Sequence, residues 1–318
     1  MSATTGRIKA VNSLRVDLAT AECVAALTAA GIAHLLLKGP TTARWLYRDG
    51  VPRGYSDSDI LVPPWERARA IDVLAGLGFD DSQRGRPAHE CGWVHATVLY
   101  RRGLDHADCV DLHHNLSHVP GDGTAVWHVL SRDAEWTTVA GQPVRIPGEG
   151  ARCLILALHA AQHGKHEEKP LEDLRRGLAI ARPEAWTEAR RLAQELGVAQ
   201  AVEVGCLIAG HPGAAGEWSD MPVEMRLRAV GAASGARTLA HLMRMRGAGR
   251  LREAARRTVP SRAFIREVYG PQTPLAVGYA RRFWSIAARV PRAVRDLRTA
   301  SAAPPEFYTA SPTAKPES

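Results

Sequence analysis

Two aspartates one residue apart, followed at once by a branched apolar run, restrict the fold of this chain more than any other feature. Asp57-Ser58-Asp59 leads directly into Ile60-Leu61-Val62. Residues i and i+2 of a strand point to the same face, so the two carboxylates are predicted to project together from the start of a buried strand. Carboxylates that close repel each other unless a cation lies between them, and Mg²⁺ prefers one or two carboxylates plus substrate phosphates. The alternative is a polar turn leading into a core strand, and the pair alone does not decide between the two.

A strand-to-helix turn precedes this pair. The apolar run 33–37 predicts a buried strand that ends at Lys38-Gly39-Pro40, and residues 41–47 can form a helix with Thr41 or Thr42 as its N-cap. Glycine at such a turn lets a phosphate approach the backbone amides, and Lys38 adds positive charge. Taken singly, an ordinary turn is the stronger interpretation. A phosphate-type turn followed by a metal-type strand favours a phosphate site.

A third acid lies in a second predicted strand. Asp111 stands between Val110 and Leu112, and a buried aspartate is rare unless it is paired or binds a metal. Asp108 falls on the opposite strand face and is interpreted as solvated. Three carboxylates on neighbouring strands predict a two-metal site for in-line displacement at phosphorus. A hydrogen-bonded core carboxylate is the alternative for Asp111.

The order of these elements resembles the bacterial uncharacterised nucleotidyltransferase family, part of the DNA polymerase beta-like nucleotidyltransferase superfamily. The resemblance covers most of residues 20–290. It is carried by Leu36-Leu37-Lys38-Gly39, Arg53, Asp57-Ser58-Asp59-Ile60-Leu61-Val62, Leu77-Gly78-Phe79, Val110-Asp111-Leu112-His113, the helical segment 154–163 and Leu171-Glu172-Asp173-Leu174. Two positions depart from the family pattern. Pro40 removes one amide that could bind phosphate, and His114 replaces a common aromatic.

The resemblance implies an α/β (α+β) fold, with a small mixed sheet and a C-terminal helical domain. It also implies transfer of a nucleoside monophosphate from an NTP, with ATP expected, to a hydroxyl or phosphate of a small molecule or peptide. Mg²⁺ or Mn²⁺ is the expected cofactor. The predicted metal ligands and catalytic residues are Asp57, Asp59 and Asp111. The predicted nucleotide-binding residues are Lys38, Gly39, Thr41, Arg53 and His163.

Two other functions stay open. One is a toxin-like nucleotidyltransferase acting on tRNA or another nucleic acid, suggested by the formal charge of +8 and the arginines of the C-terminal half. A solvated, arginine-rich helix face is the favoured interpretation of that charge, because aromatic residues are not interleaved as stacking platforms. The other is a pseudo-enzyme that binds nucleotide or a peptide without chemistry.

Composition indicates a cytoplasmic protein. The five cysteines are scattered and lack C-x-x-C spacing, which suits reduced thiols. The polar N-terminus lacks the apolar core of a signal peptide, and no apolar run approaches the ~20 residues of a membrane helix.

The predicted organisation has three parts, a catalytic domain (1–150), a helical domain (151–300) and a disordered tail (301–318). Strands are expected at 93–100 and 107–113 as an antiparallel pair and at 136–139 and 143–146 as a hairpin, with helices at 11–30 and 64–76. Within the helical part, His159, His163 and His166 share one face only if their helix continues to 166. A structural zinc site there, or one that draws in Cys91 and His95 or His113 and His114, is disfavoured by the spacing.

Overall fold

The structure is a computed structural model, and it describes residues 3–49, 51–81, 95–103, 107–211, 218, 221–232 and 234–302. The strands in these ranges are β1 (Leu35–Leu36), β2 (Ser58–Leu61), β3 (Asp80–Asp81), β4 (Ala96–Arg102), β5 (Ala107–His113), β6 (Glu135–Val139) and β7 (Gln142–Ile146). The helices of the first half are α1 (Ala3–Ala29), α2 (Pro40–Leu46), α3 (Arg67–Gly76), α4 (Thr124–Ser131) and α5 (Glu149–His163). Those of the second half are α6 (Glu168–Ile180), α7 (Pro183–Glu195), α8 (Ala199–Ile208), α9 (Val223–Ala229), α10 (Ser234–Arg244), α11 (Gly247–Thr258), α12 (Arg262–Tyr269) and α13 (Leu275–Ser301).

Five strands form one mixed sheet in the order β1-β2-β5-β4-β3. Only the central pair, β2 and β5, is parallel, and the other neighbours are antiparallel. The strands β6 and β7 form a separate hairpin. The predicted mixed sheet, the antiparallel pair and the hairpin are therefore confirmed.

The two faces of the central strands differ in chemistry. Ile60 of β2 and the pair Val110 and Leu112 of β5 are fully buried in a core that also contains Val24 and Leu27 of α1. Burial of such side chains contributes about 1.5–3 kcal/mol each. Because strand residues alternate between faces, Asp59 and Asp111 project from the opposite side of the sheet. The apolar face thus fixes the register that brings the two carboxylates together.

The chain divides into two compact units. The first contains the described residues of 1–84, 93–158 and 173–199, and the second contains those of 159–172 and 200–318. The first unit includes the five-stranded sheet and also helix α7. The sequence instead predicts one helical domain over all of 151–300. The second unit has a small core built around Leu227, Ala236 and Ala293. The domain boundary at residue 150 stays a prediction.

Local predictions fail at several points. Gly39, not Thr41 or Thr42, is the N-cap of α2, because Pro40 takes the first helical position. Helix α5 ends at His163 and Gly164 follows with φ 78°, so His166 does not continue the histidine face. Helix α4 was not predicted. The described residues end at 302, so residues 303–318 of the predicted tail lie outside them. Cys91 also lies outside the described residues.

None of the helices in the described part of the chain combines the length and the apolar character needed to cross a bilayer.

Candidate functional site

The parallel pairing of β2 and β5 sets Asp59 directly opposite Asp111. His113 lies two residues beyond Asp111 and therefore on the same strand face. One ligand atom from each of these three residues lies within 4.8 Å of the others. Asp59 and His113 are buried, and Asp111 is half-buried. The sheet thus presents two carboxylates and one imidazole at a single point.

Two cationic or hydrogen-bonding groups hold the Asp59 carboxylate. Its Oδ1 atom lies 2.9 Å from the Nζ of Lys38 and 2.9 Å from the Nε2 of His113. Burial opposes ionisation of this carboxyl, but the Lys38 ammonium and the His113 hydrogen bond outweigh it and keep the pKa of Asp59 well below its usual value. Asp59 is therefore ionised in its buried position.

Asp111 is in the opposite electrostatic situation. Burial, together with the negative charges of Asp59 and Asp57, raises the pKa of Asp111 to about 6, and the nearby cations only partly oppose this. Two facing carboxylates thus differ in proton affinity. An acid with a raised pKa beside one held ionised is typical of functional sites.

The donor set fits a divalent cation. Carboxylate oxygens are preferred by Mg²⁺ and Mn²⁺, and an imidazole nitrogen is accepted more readily by Mn²⁺ than by Mg²⁺. The Nδ1 atom of His113 is buried and has no hydrogen-bond partner among the described residues, so the ring is oriented chiefly through its contact with Asp59. A cation between Asp59 and Asp111 would also relieve the repulsion that raises the pKa of Asp111.

The turn at Gly39 approaches the start of β2 closely. Gly39 has φ 75°, a conformation that residues with a Cβ rarely adopt. A Cβ added there would lie 3.0 Å from the carbonyl oxygen of Asp57. The Thr41 hydroxyl is buried and donates to the carbonyl of Leu37 at 3.3 Å. The backbone geometry therefore requires glycine at the point where the predicted phosphate turn meets the start of β2.

A buried ion pair holds this turn. The Nε and Nη2 atoms of Arg53 donate to Asp173 at 2.7 and 2.6 Å, and its Nη1 donates to the carbonyl of Gly39 at 3.4 Å. The Tyr47 hydroxyl donates to the same carboxylate at 2.7 Å. The paired side chains are 4% and 1% exposed. Burial lowers the pKa of the guanidinium, but Asp173 outweighs that effect and the pKa of Arg53 is raised.

The predicted site residues are thus only partly brought together. Asp59, Asp111 and Lys38 meet at the sheet, and Asp57 lies just before β2, close enough to raise the pKa of Asp111. His163 belongs to the second unit, where its ring lies 4.5 Å from that of His159 in an edge-to-face arrangement. Its proposed role in binding nucleotide or acceptor stays a prediction, as does direct charge neutralisation by Arg53.

The sequence offers His113 only as part of a disfavoured structural zinc site, and it gives Asp173 no site role. The signal for His113 was strand periodicity, since it stands two residues after Asp111. The signal for Asp173 was an acid flanked by leucines on a helix, which predicts a buried partner without naming it.

The interpretation of Asp108 as a solvated carboxylate is wrong. Asp108 lies on the core face of β5 and pairs with Arg101 at 3.1 Å and with Arg15 at 3.7 Å. Its contacts are separate from those of the three-residue cluster.

The chain is similar to one family model and to several solved structures. A family model described as "Uncharacterised nucleotidyltransferase" matches residues 6–212. Among solved structures, the antibiotic-resistance factor ANT(2'')-Ia is 16% identical, with a TM-score of 0.39, and the match covers 57% of this chain and 95% of that one. An antigenic nucleotidyltransferase-like protein from Paracoccidioides brasiliensis is 12% identical, with a TM-score of 0.35 and coverage of 59% and 92%. No curated protein sequence matches the chain. Because the family model spans well over half of the 318 residues, the chain belongs to the uncharacterised nucleotidyltransferase family.

Proposed function

We propose that this protein transfers a nucleoside monophosphate from an NTP, with ATP expected, to a hydroxyl or phosphate of a small molecule or peptide. The observation that carries the proposal is the in-register pairing of Asp59 with Asp111 beside Lys38. Phosphoryl chemistry needs positioned charge more than it needs covalent participation by the protein. Carboxylates facing each other next to a lysine supply that arrangement.

Asp57, Asp59 and Asp111 would hold Mg²⁺ or Mn²⁺, with His113 as a fourth donor or as the group that orients Asp59. When bound, the metal supplies Lewis-acid stabilisation of the charge on the triphosphate. Lys38, Gly39 and Thr41 would orient the phosphates at the turn. Arg53 would act on the substrate through the Gly39 carbonyl that it contacts, in addition to its predicted effect on developing charge.

Asp111 is the proposed general base. A base works best when its pKa lies near the working pH, and burial and neighbouring acids raise the pKa of Asp111 to about 6. The acceptor oxygen attacks the α-phosphorus, its proton passes to the Asp111 carboxylate, and the bond to pyrophosphate breaks. One P–O bond forms and one is lost.

The test is a transfer assay with the purified full chain. Each labelled NTP is incubated with Mg²⁺ or Mn²⁺ and with separate pools of hydroxyl-bearing small molecules, peptides and tRNA. Labelled acceptor and free pyrophosphate are measured. The proposal expects both products with a small molecule or a peptide. Labelling of tRNA alone would favour the toxin-like alternative, and NTP binding without pyrophosphate under either metal would favour the pseudo-enzyme.

Asp59→Asn and Asp111→Asn should lower turnover more than about a hundredfold, because each removes a charge at the cluster. Asp108→Asn is the matched control, since Asp108 shares a strand with Asp111 but faces the core. Equal losses in all three variants would mean that general destabilisation, not the site, explains the effect. Full turnover in Asp59→Asn would refute the assignment.

A further inference from the structure

The helices α10, α11, α12 and α13 of the second unit line a cavity of about 330 Å³ that is partly open to solvent. This volume lies in the range of small-molecule sites. The lining residues of α13 include Arg282, Ile286 and Arg289, which are three or four positions apart and therefore share one helix face. Helix α10 contributes Leu239 and Leu242 with similar spacing. The cavity is thus built by two regular helix faces.

The charge around the cavity is one-sided. Four arginines line it, and among the described residues no aspartate or glutamate does; the four are Arg256, Arg257, Arg282 and Arg289. One has a local acidic partner, because Arg257 pairs with Glu253 at 2.6 Å. Positive charge concentrated without an equal number of acids favours an anionic occupant.

Arg282 is held in place at the cavity wall. Its Nη2 donates to the carbonyl of Arg257 at 2.8 Å, and its guanidinium carbon lies 4.9 Å from the ring centroid of Phe264. Its Nε is buried and has no hydrogen-bond partner within the described part of the chain. A buried polar group without a partner is costly, whereas a charge-assisted hydrogen bond would recover that cost.

The rest of the lining is apolar. Leu239, Leu242, Phe264, Ile286 and Val290 form much of the wall. An inorganic anion would leave these side chains uncovered, and an uncharged apolar molecule would leave the arginines uncompensated. Only a molecule with both an anionic end and an apolar body satisfies the two parts of the lining.

We infer that this cavity is a binding site for a small amphiphilic organic anion, a carboxylate carried on an acyl chain or an aromatic group. The site is separate from the Asp59 cluster in composition and in the residues that build it. The inference does not rest on the proposed transfer reaction, so binding measurements alone test it.

Isothermal titration calorimetry on the full chain tests the inference, with octanoate as the probe. Octanoate should bind saturably with a negative heat-capacity change, which marks apolar burial. Octan-1-ol should bind about tenfold more weakly because it lacks the charge, and acetate should not bind measurably. No octanoate binding, or equal binding of octan-1-ol, would overturn the inference.

Two exposed arginines of α13 provide a matched pair of variants. Arg289 lines the cavity, whereas Arg281 is exposed and does not. At physiological salt, where charges are screened within about 8 Å, Arg289→Glu should lower octanoate affinity about fivefold. Arg281→Glu should leave it within about twofold, because its charge lies outside the lining. Arg282→Ala should weaken binding about tenfold. Equal losses in the two exposed variants would show a general charge effect and overturn the site.

Discussion

Replacing Asp173 by asparagine should destabilise the protein strongly, because it leaves a buried guanidinium without its charge partner. Asp173 accepts three hydrogen bonds, two from Arg53 and one from the Tyr47 hydroxyl. The side chains of the ion pair are 4% and 1% exposed. Asparagine preserves the volume of the aspartate, so packing changes little and the main change is electrostatic.

The size of the effect follows from the burial. Breaking one partner of a buried pair costs about 3–5 kcal/mol, since the remaining charge is uncompensated. For a chain of this size each kcal/mol lowers the melting temperature by about 2–4 °C. Asp173→Asn should therefore melt roughly 6–20 °C below the wild type. Thermal unfolding followed by circular dichroism measures this directly.

Asp108→Asn is the control for loss of an acid from an ion pair of the same unit. The Arg101 and Asp108 side chains are 24% and 13% exposed, so solvent screens their interaction more. The expected cost is about 1 kcal/mol or less. A melting temperature for Asp173→Asn within about 2 °C of the wild type, or equal to that of Asp108→Asn, would refute the reasoning.

A double replacement separates stability from positioning. Arg53→Met combined with Asp173→Leu removes both charges, and apolar replacements of a buried pair are often neutral or stabilising. The melting temperature should therefore recover, while the Gly39 carbonyl still lacks its donor. Turnover in the transfer assay should stay low. Recovery of both stability and turnover would show that Arg53 does not position the turn.

Two further outcomes test the site and the turn beside it, and a third tests the pH dependence of stability. His113→Ala should lower Mn²⁺ affinity about 10–100-fold by calorimetry, whereas the same change at His114, outside the cluster, should not. Gly39→Ala should lower the free energy of unfolding by about 1–2 kcal/mol because of the positive φ, and further because the added Cβ meets the Asp57 carbonyl. This loss should exceed that of Gly31→Ala, whose added Cβ meets nothing within 4 Å. Burial lowers the pKa of His95 to about 3, so the folded state keeps it neutral, whereas the unfolded state takes up a proton below its usual pKa of 6.5. Stability should therefore fall by about 2 kcal/mol between pH 6.5 and 5, and urea unfolding of His95→Gln should lack that component.

The parts of the site that depend on local periodicity were predictable. Asp59 stands at the start of an apolar strand run and Asp111 lies within one, and alternation places both on the face opposite Ile60, Val110 and Leu112. The mixed sheet and its antiparallel pair followed from the same patterns. The role of His113 was equally accessible, because it obeys the same two-residue period, but a histidine two positions after an acid has many structural explanations.

The parts that depend on distant pairing were not predictable. Arg53 and Asp173 are 120 residues apart, and nothing in either local sequence names the other. The interpretation of Asp108 failed for a different reason, since its partner Arg101 lies opposite it only in the observed register of β4 and β5, which the predicted antiparallel pair did not specify. The N-cap of α2 failed because Pro40 occupies the first helical position and moves the cap back to Gly39, a local effect that outweighed the preference for threonine.

The two facing carboxylates, Asp59 and Asp111, differ in pKa because of their neighbours and not because of their own chemistry. Lys38 and His113 both contact one oxygen of Asp59, so that carboxylate stays ionised and suits a permanent ligand for a cation. Asp111 faces the charge of Asp59, and burial together with that charge raises its pKa to about 6. When two titratable groups have pKa values pushed apart by their surroundings, the group with the raised value is the one suited to exchange a proton. In the proposed reaction, the register of the β2 and β5 pair would give cation binding chiefly to Asp59 and proton acceptance to Asp111, and a single-residue slip of that register would separate the two carboxylates.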